Sequence, residues 1–278
     1  MEDRKVKEVL SSNRFSFKKK YGQNFITDKN LLADIVDKSG ADENSTVIEI
    51  GCGAGTLTRA IAEKVKKVYA YEIDTSLKPV LAQTLAGVDN AEVIFKDFLK
   101  IRLDELEKTL PEYRVIANLP YYITTPLIMT FAEHSSKCLS VTVMVQEEVA
   151  LRLCASANTP DYGAITANIA LRGQCRIIKK VGREMFMPRP NVDSAVVRID
   201  FVGDRLGVED VAVYKKVVQA AFSSRRKTLE NNLVNCFGFS RECARSVLSG
   251  CGIDLKARGE TLTPEDFARL SAQIAGIL

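Results

Sequence analysis

A short apolar run, Thr46-Val47-Ile48-Glu49-Ile50, stops at a loop with three glycines, Gly51-Cys52-Gly53-Ala54-Gly55. Glycine reaches backbone angles that other residues avoid and lets the chain turn tightly or approach a ligand closely. Leu57, Ile61 and Val65 then recur at helical spacing, so the loop joins a buried strand to the start of a helix. The alternation continues. Val68-Tyr69-Ala70-Tyr71, Val93-Ile94-Phe95, Arg114-Val115-Ile116-Ala117 and residues 141–145 read as further strands, and Glu147–Leu153 as a helix. Leu31, Leu32, Ile35 and Val36 mark a helix before the first strand, with Thr27 or Asp28 as its N-cap. Such a pattern predicts an α/β fold, a parallel sheet with helices on both faces.

Around Met185-Phe186-Met187-Pro188-Arg189-Pro190 two prolines forbid both a helix and a central strand. Ser194–Phe201 reads as the last strand, and Gly203-Asp204-Arg205-Leu206-Gly207 as a boundary between a domain at 1–203 and a smaller, all-helical one at 204–278. In the latter, Val213, Val217 and Ala221, then Phe267, Leu270 and Ile274, keep helical periodicity. A chain of 278 residues, 46% hydrophobic and 27% charged, suits one large globular domain and a small one. No window holds the roughly 18 apolar residues of a membrane span. The N-terminal stretch lacks the apolar core of a signal peptide.

Seven cysteines without a C-x-x-C pair argue against a zinc knuckle or a secreted disulfide framework, and fit reduced thiols in a cytoplasmic protein. The single histidine, His134, leaves no basis for a histidine metal site or a Ser-His-Asp triad, so no metal is expected. Chemistry must then come from a cofactor, positioning and hydrogen bonds. The net charge of +4 is concentrated at Lys18-Lys19-Lys20 and Arg225-Arg226-Lys227. Such clusters suit phosphate contacts, and equally the solvated ends of helices.

Glu72 ends the second strand about twenty residues beyond the glycines, where a carboxylate takes the ribose hydroxyls of an adenine nucleoside in dinucleotide folds. The third glycine comes one residue earlier than in G-x-G-x-x-G, so the loop is less suited to a pyrophosphate. Asp97, after the third strand, is placed to accept the amino group of a cofactor adenine, with Phe98 beside it. Together these features resemble the S-adenosylmethionine site of the Rossmann-like methyltransferases. The glycine loop and Glu72 alone would serve a dehydrogenase as well, the glycine spacing and Asp97 separate the two, and the bland alternative is a glycine turn with two surface acids.

Asn118-Leu119-Pro120-Tyr121 follows the fourth strand, at the carboxyl edge where open α/β sheets bind ligands. It resembles the [D/N/S]-[P/I/L]-P-[Y/F/W] motif of amino-group methyltransferases. Adenine N6 is a poor nucleophile because its lone pair is delocalised into the ring. Two acceptors on its hydrogens, the Asn118 side-chain oxygen and the Leu119 carbonyl, would localise that pair. Pro120 restricts Leu119 to extended angles, and Tyr121 offers a face on which a flipped base stacks. Phe186, in the Pro-rich loop, is expected to be the second stacking partner.

The chain resembles the ribosomal RNA adenine dimethyltransferases from Lys18 to Leu278. Matching stretches are Lys20-Tyr21-Gly22-Gln23-Asn24-Phe25-Ile26, 49–55, 118–122, Gln146-Glu147-Glu148-Val149-Ala150 and 186–194. The resemblance implies cofactor contacts at Asn24, Ile26, Gly51, Glu72, Asp97 and Asn118, beside Gly53 of the loop. It implies that the helical domain helps hold RNA through Arg225, Arg226 and Lys227; the charge cluster Lys18, Lys19 and Lys20 is the other expected RNA contact. Within the family the chain looks most like the bacterial small-subunit enzymes. Those dimethylate N6 of two adjacent adenines near the 3′ end of 16S rRNA during ribosome assembly, which implies a monomer acting on the small subunit or its precursor, away from membranes. Three alternatives stay open: the macrolide-resistance type that modifies large-subunit rRNA, a nicotinamide-dependent oxidoreductase, and a non-catalytic RNA-binding descendant.

Overall fold

A computed structural model describes residues 3–18 and 21–278. They divide into two compact units, one of residues 1–150 and 176–201, the other of 151–175 and 202–278.

The first unit is built on a seven-stranded sheet. Its strands are β2 (Thr46–Ile50), β3 (Lys67–Glu72), β4 (Ala91–Phe95), β5 (Tyr113–Asn118), β6 (Cys138–Gln146), β7 (Gly173–Val181, whose first three residues belong to the second unit) and β9 (Ser194–Phe201). Their order is β4-β3-β2-β5-β6-β9-β7. The five strands from β4 to β6 run parallel, and β9 is antiparallel to β6. Every residue of β2 is buried, as expected of a central strand covered on both faces. Helices α3 (Thr56–Ala62) and α4 (Lys78–Thr84) bury Leu57, Ile61, Val80 and Leu81 in the core. The order turns back at β2: β3 and β4 extend to one side, β5 and β6 to the other. Ligands of open α/β sheets bind at such a switch point, beyond the carboxyl ends of the strands. Here those ends are the glycine loop after β2 and Asn118 at the end of β5.

Three features go beyond the sequence reading. The basic N-terminal stretch contains a helix, α1 (Asp3–Ser12), whose Val6 and Leu10 are buried in the core. A two-residue ladder joins β1 (Phe25–Ile26) to β8 (Phe186–Met187), inside the segment expected to be irregular. Strand β7 closes one edge of the sheet with charged and half-exposed side chains.

The second unit carries α8 (Ala164–Ala170), α9 (Val211–Ser223), α10 (Leu229–Phe237), α11 (Arg241–Gly250) and α12 (Pro264–Ala275). Asp210, Thr228, Ser240 and Thr263 cap the last four helices by accepting backbone N–H bonds, which satisfies donors left free by helix geometry. The expected boundary at 203/204 needs correction, because residues 151–175 belong to this helical unit. Tyr162, Ala167 and Leu171 lie in its core with Tyr214, Phe267 and Leu270, and the Tyr214 hydroxyl donates to the Ala167 carbonyl at 2.9 Å. Among the described residues no helix is long and apolar enough to cross a membrane.

Candidate active site

The glycine loop is pinned to the end of β3. The N–H groups of Gly51 and Cys52 both donate to the Tyr71 carbonyl, at 2.8 and 3.1 Å. Gly53 has φ +55°, and a Cβ there would sit 2.7 Å from Cε1 of Phe25, so both angle and space require glycine. Its N–H donates to Glu72 at 2.9 Å, while the other Glu72 oxygen accepts from Asp74 N at 2.8 Å. Burial raises the Glu72 carboxyl above its ordinary range. Each oxygen retains room for a further donor. Glu49, at the end of β2, is fully buried, and its Oε2 has no hydrogen-bond partner. Burial, with the neighbouring charge of Glu72, pushes its carboxyl up to about 8.

Asn118 has a fixed orientation. Its Nδ2 donates to the Asn24 carbonyl at 2.7 Å, which leaves Oδ1 as the free acceptor of the amide. Pro120 caps α6 (Tyr121–His134), so Tyr121 is the first helical residue. The Tyr121 hydroxyl meets Ser194 Oγ at 2.9 Å, and the ring is half-buried. Leu119 packs its side chain into the core. Tyr122 is 61% exposed and borders the cavity.

Residues 21–26 form a strap across the cavity. Gly22 approaches Pro120 so closely that a Cβ would lie 3.2 Å from Pro120 Cβ. The Ile26 carbonyl accepts from the Thr56 hydroxyl at 2.7 Å. At the outer end Asp74 collects Lys18 Nζ at 2.6 Å and Gln23 Nε2 at 3.0 Å. Burial works to raise the Asp74 carboxyl, but hydrogen bonds from Lys18, Ser76 and Gln23 outweigh it and hold it low.

All seven residues expected around a cofactor, Asn24, Ile26, Gly51, Gly53, Glu72, Asp97 and Asn118, line one cavity of about 220 Å³. Asp97 caps the following turn through Leu99 N, and Phe98 packs edge-on against Tyr71. Two expected site residues make contacts within the protein. Phe186 does not face this cavity: paired with Ile26 in the β1–β8 ladder, its side chain is buried in the core, 6% exposed. Lys18 is not a free cation, since Asp74 and Ser76 take its ammonium. Lys19 and Lys20 lie outside the described residues. In the helical unit Arg225 donates to the carbonyls of Pro160 and Tyr162, at 2.9 and 3.2 Å. Arg226 and Lys227 are exposed.

The residues present fit an adenosyl cofactor: glycines that open the loop, two acids along the cavity, and an unpartnered buried oxygen on Glu49. Fold and cavity place the chain among the Rossmann-like methyltransferases that take their methyl group from S-adenosylmethionine. Comparison with known proteins narrows the class. The model of the ribosomal RNA adenine dimethylase family matches residues 14–275, and the chain belongs to that family. It is 42% identical to a Bacillus licheniformis protein named ribosomal RNA small subunit methyltransferase A, over 99% of this chain and 97% of that one. A Geobacillus thermodenitrificans protein of the same name is 43% identical, over 96% and 94%. Among solved structures, a dimethyladenosine transferase from Plasmodium falciparum superposes with a TM-score of 0.77 at 24% identity, covering 91% of this chain and 98% of that one. The 23S rRNA methyltransferase ErmE gives 0.70 at 27%, covering 90% and 99%.

Proposed function

We propose that this chain dimethylates N6 of two adjacent adenines near the 3′ end of 16S rRNA, in the small ribosomal subunit or its precursor, as a cytoplasmic monomer. The observation that carries the reading is the fixed amide of Asn118. With Nδ2 committed to Asn24, Oδ1 is left to accept a hydrogen from an incoming amine. The Leu119 carbonyl is the second acceptor, held extended by Pro120. Together they localise the amine lone pair and stabilise the charge that develops on it. Tyr121, with its hydroxyl fixed on Ser194, and the exposed Tyr122 offer flat faces to the base. Phe186 supports the strap from the core.

S-adenosylmethionine supplies the activated methyl group and its own leaving group, so no residue has to act as a nucleophile. Glu72 would hold the ribose hydroxyls and Asp97 the adenine amino group. Asn24, Ile26, Gly51 and Gly53 would form the walls. Alignment of donor and acceptor is the rest of the catalysis. Small-subunit rRNA is favoured over large-subunit rRNA by similarity: relatives named for the small subunit reach 42–43% identity, against 27% for the 23S enzyme.

The test is transfer of labelled methyl to undermethylated small-subunit particles, with mapping of the modified bases. Dimethylation of two neighbouring adenines is expected, and modification of large-subunit RNA instead would overturn the assignment. Asn118→Ala should cut transfer by on the order of a hundredfold or more, with cofactor affinity changed only a few-fold. Equal losses of both would make Asn118 a cofactor-binding residue first.

A further inference from the structure

The helical unit holds two thiols face to face. Cys154 directly follows α7 (Glu147–Leu153), Cys175 is the third residue of β7, and their Sγ atoms are 2.9 Å apart. That is less than an ångström beyond the roughly 2.04 Å of a disulfide bond. Neither is sealed in the core, and both border an open depression with Tyr162, Thr166 and Gln174. A small reagent can reach them.

We propose that Cys154 and Cys175 are a thiol–disulfide exchange site, which takes a low-molecular-weight disulfide as oxidant and closes into a reversible intrachain bridge. Hydrogen bonding between the two thiols holds Cys154 below the ordinary cysteine range, against the opposing effect of burial. Either sulfur can make the first attack, and a lowered thiol favours the Cys154 thiolate. Its thiolate displaces one thiol from the small disulfide and forms a mixed disulfide. The Cys175 thiolate then attacks the Cys154 sulfur and releases the second thiol. The two cysteine protons end on the released thiols, and two electrons pass from the protein to the reagent. Cys52 offers no such chemistry, because burial and the charges of Glu49 and Glu72 push its thiol well up.

The bridge closes the ends of a segment already docked on the helical unit. Within it the Asn158 N–H donates to the Glu260 carbonyl, and the Pro160 and Tyr162 carbonyls accept from Arg225. Oxidation thus fixes the loop that anchors one residue of the basic cluster.

The full-length protein, equilibrated over graded ratios of oxidised to reduced glutathione, is acid-quenched, alkylated, digested and mapped by mass. A peptide pair joining Cys154 to Cys175, two hydrogens lighter than the reduced pair and reopened by dithiothreitol, is the expected result. Cys175→Ser should stop at a glutathione adduct on Cys154. Recovery of both cysteines as alkylated thiols even in fully oxidised glutathione overturns the site. A Cys175→Ser protein without adduct overturns the role of Cys154.

Discussion

Glu49 brings a carboxyl into the core with one oxygen unpartnered, and its proton balance makes that measurable. The folded protein keeps the proton up to about pH 8, whereas the ordinary carboxyl gives it up near 4.5. Between those values the folded state binds more protons than the unfolded one. The stabilisation is complete below pH 4.5 and is lost as pH rises to about 8, with a slope of about 1.4 kcal/mol per unit. Denaturant unfolding of the cofactor-free protein should therefore weaken across this window, and Glu49→Gln should flatten the profile. Parallel profiles for the two proteins would mean that Glu49 is ionised in the fold. Gly53→Ala places a methyl group against Phe25 at a positive φ, and should cost more than about 1 kcal/mol of stability. An unchanged denaturation midpoint would show that the loop relaxes freely. Residues such as Gly53, Glu72, Asp97 and Asn118 were legible from sequence because each is a polar or glycine exception at the end of an apolar run. The Asp74 latch was not, since its partners Lys18 and Gln23 are more than fifty positions away and nothing local marks them.

At the scale of elements, strands that run into the core announced themselves, while those on its margins did not. β2 is mostly apolar and wholly buried; β7 carries Arg176, Lys179 and Lys180 on a sheet edge, and β8 is two residues long beside a proline. The same brevity hid the place of Phe186, which an aromatic in a Pro-rich loop suggested was free to stack. The strap is held from three sides, by Asn118 on Asn24, by the β1–β8 ladder, and by Asp74 on Lys18 and Gln23. Hydrogen bonds to a charged group, such as those Asp74 accepts, are worth about 1.5–3 kcal/mol each. Asp74→Ala should thus raise the dissociation constant for S-adenosylmethionine on the order of tenfold and speed proteolysis near Lys18. Titration calorimetry and limited digestion read the two effects, and no change in either would remove the latch from the binding site.

Across the whole molecule, the α/β-then-helical order was readable, but its seam was not. Residues 151–175 carry only one whole helix, of seven residues, too short for its periodicity to reveal which core it joins, and their apolar side chains settle against α9 and α12. The basic cluster also divides. Arg225 is occupied by backbone carbonyls, so the phosphate contacts proposed here rest on Arg226 and Lys227. Replacing both with glutamine should weaken rRNA binding uniformly and reduce the slope of log K against log salt by roughly 1.5. A slope that does not move would place the RNA elsewhere. The β1–β8 ladder carries a consequence of timing. It pairs Ile26 with Phe186, so a ribosome must add about 160 residues after β1 before the strap gains its brace. The pairing is strongly non-local, and loop-closure entropy opposes it until the intervening sheet has formed. The nascent enzyme therefore finishes its donor-binding cleft late in its own synthesis.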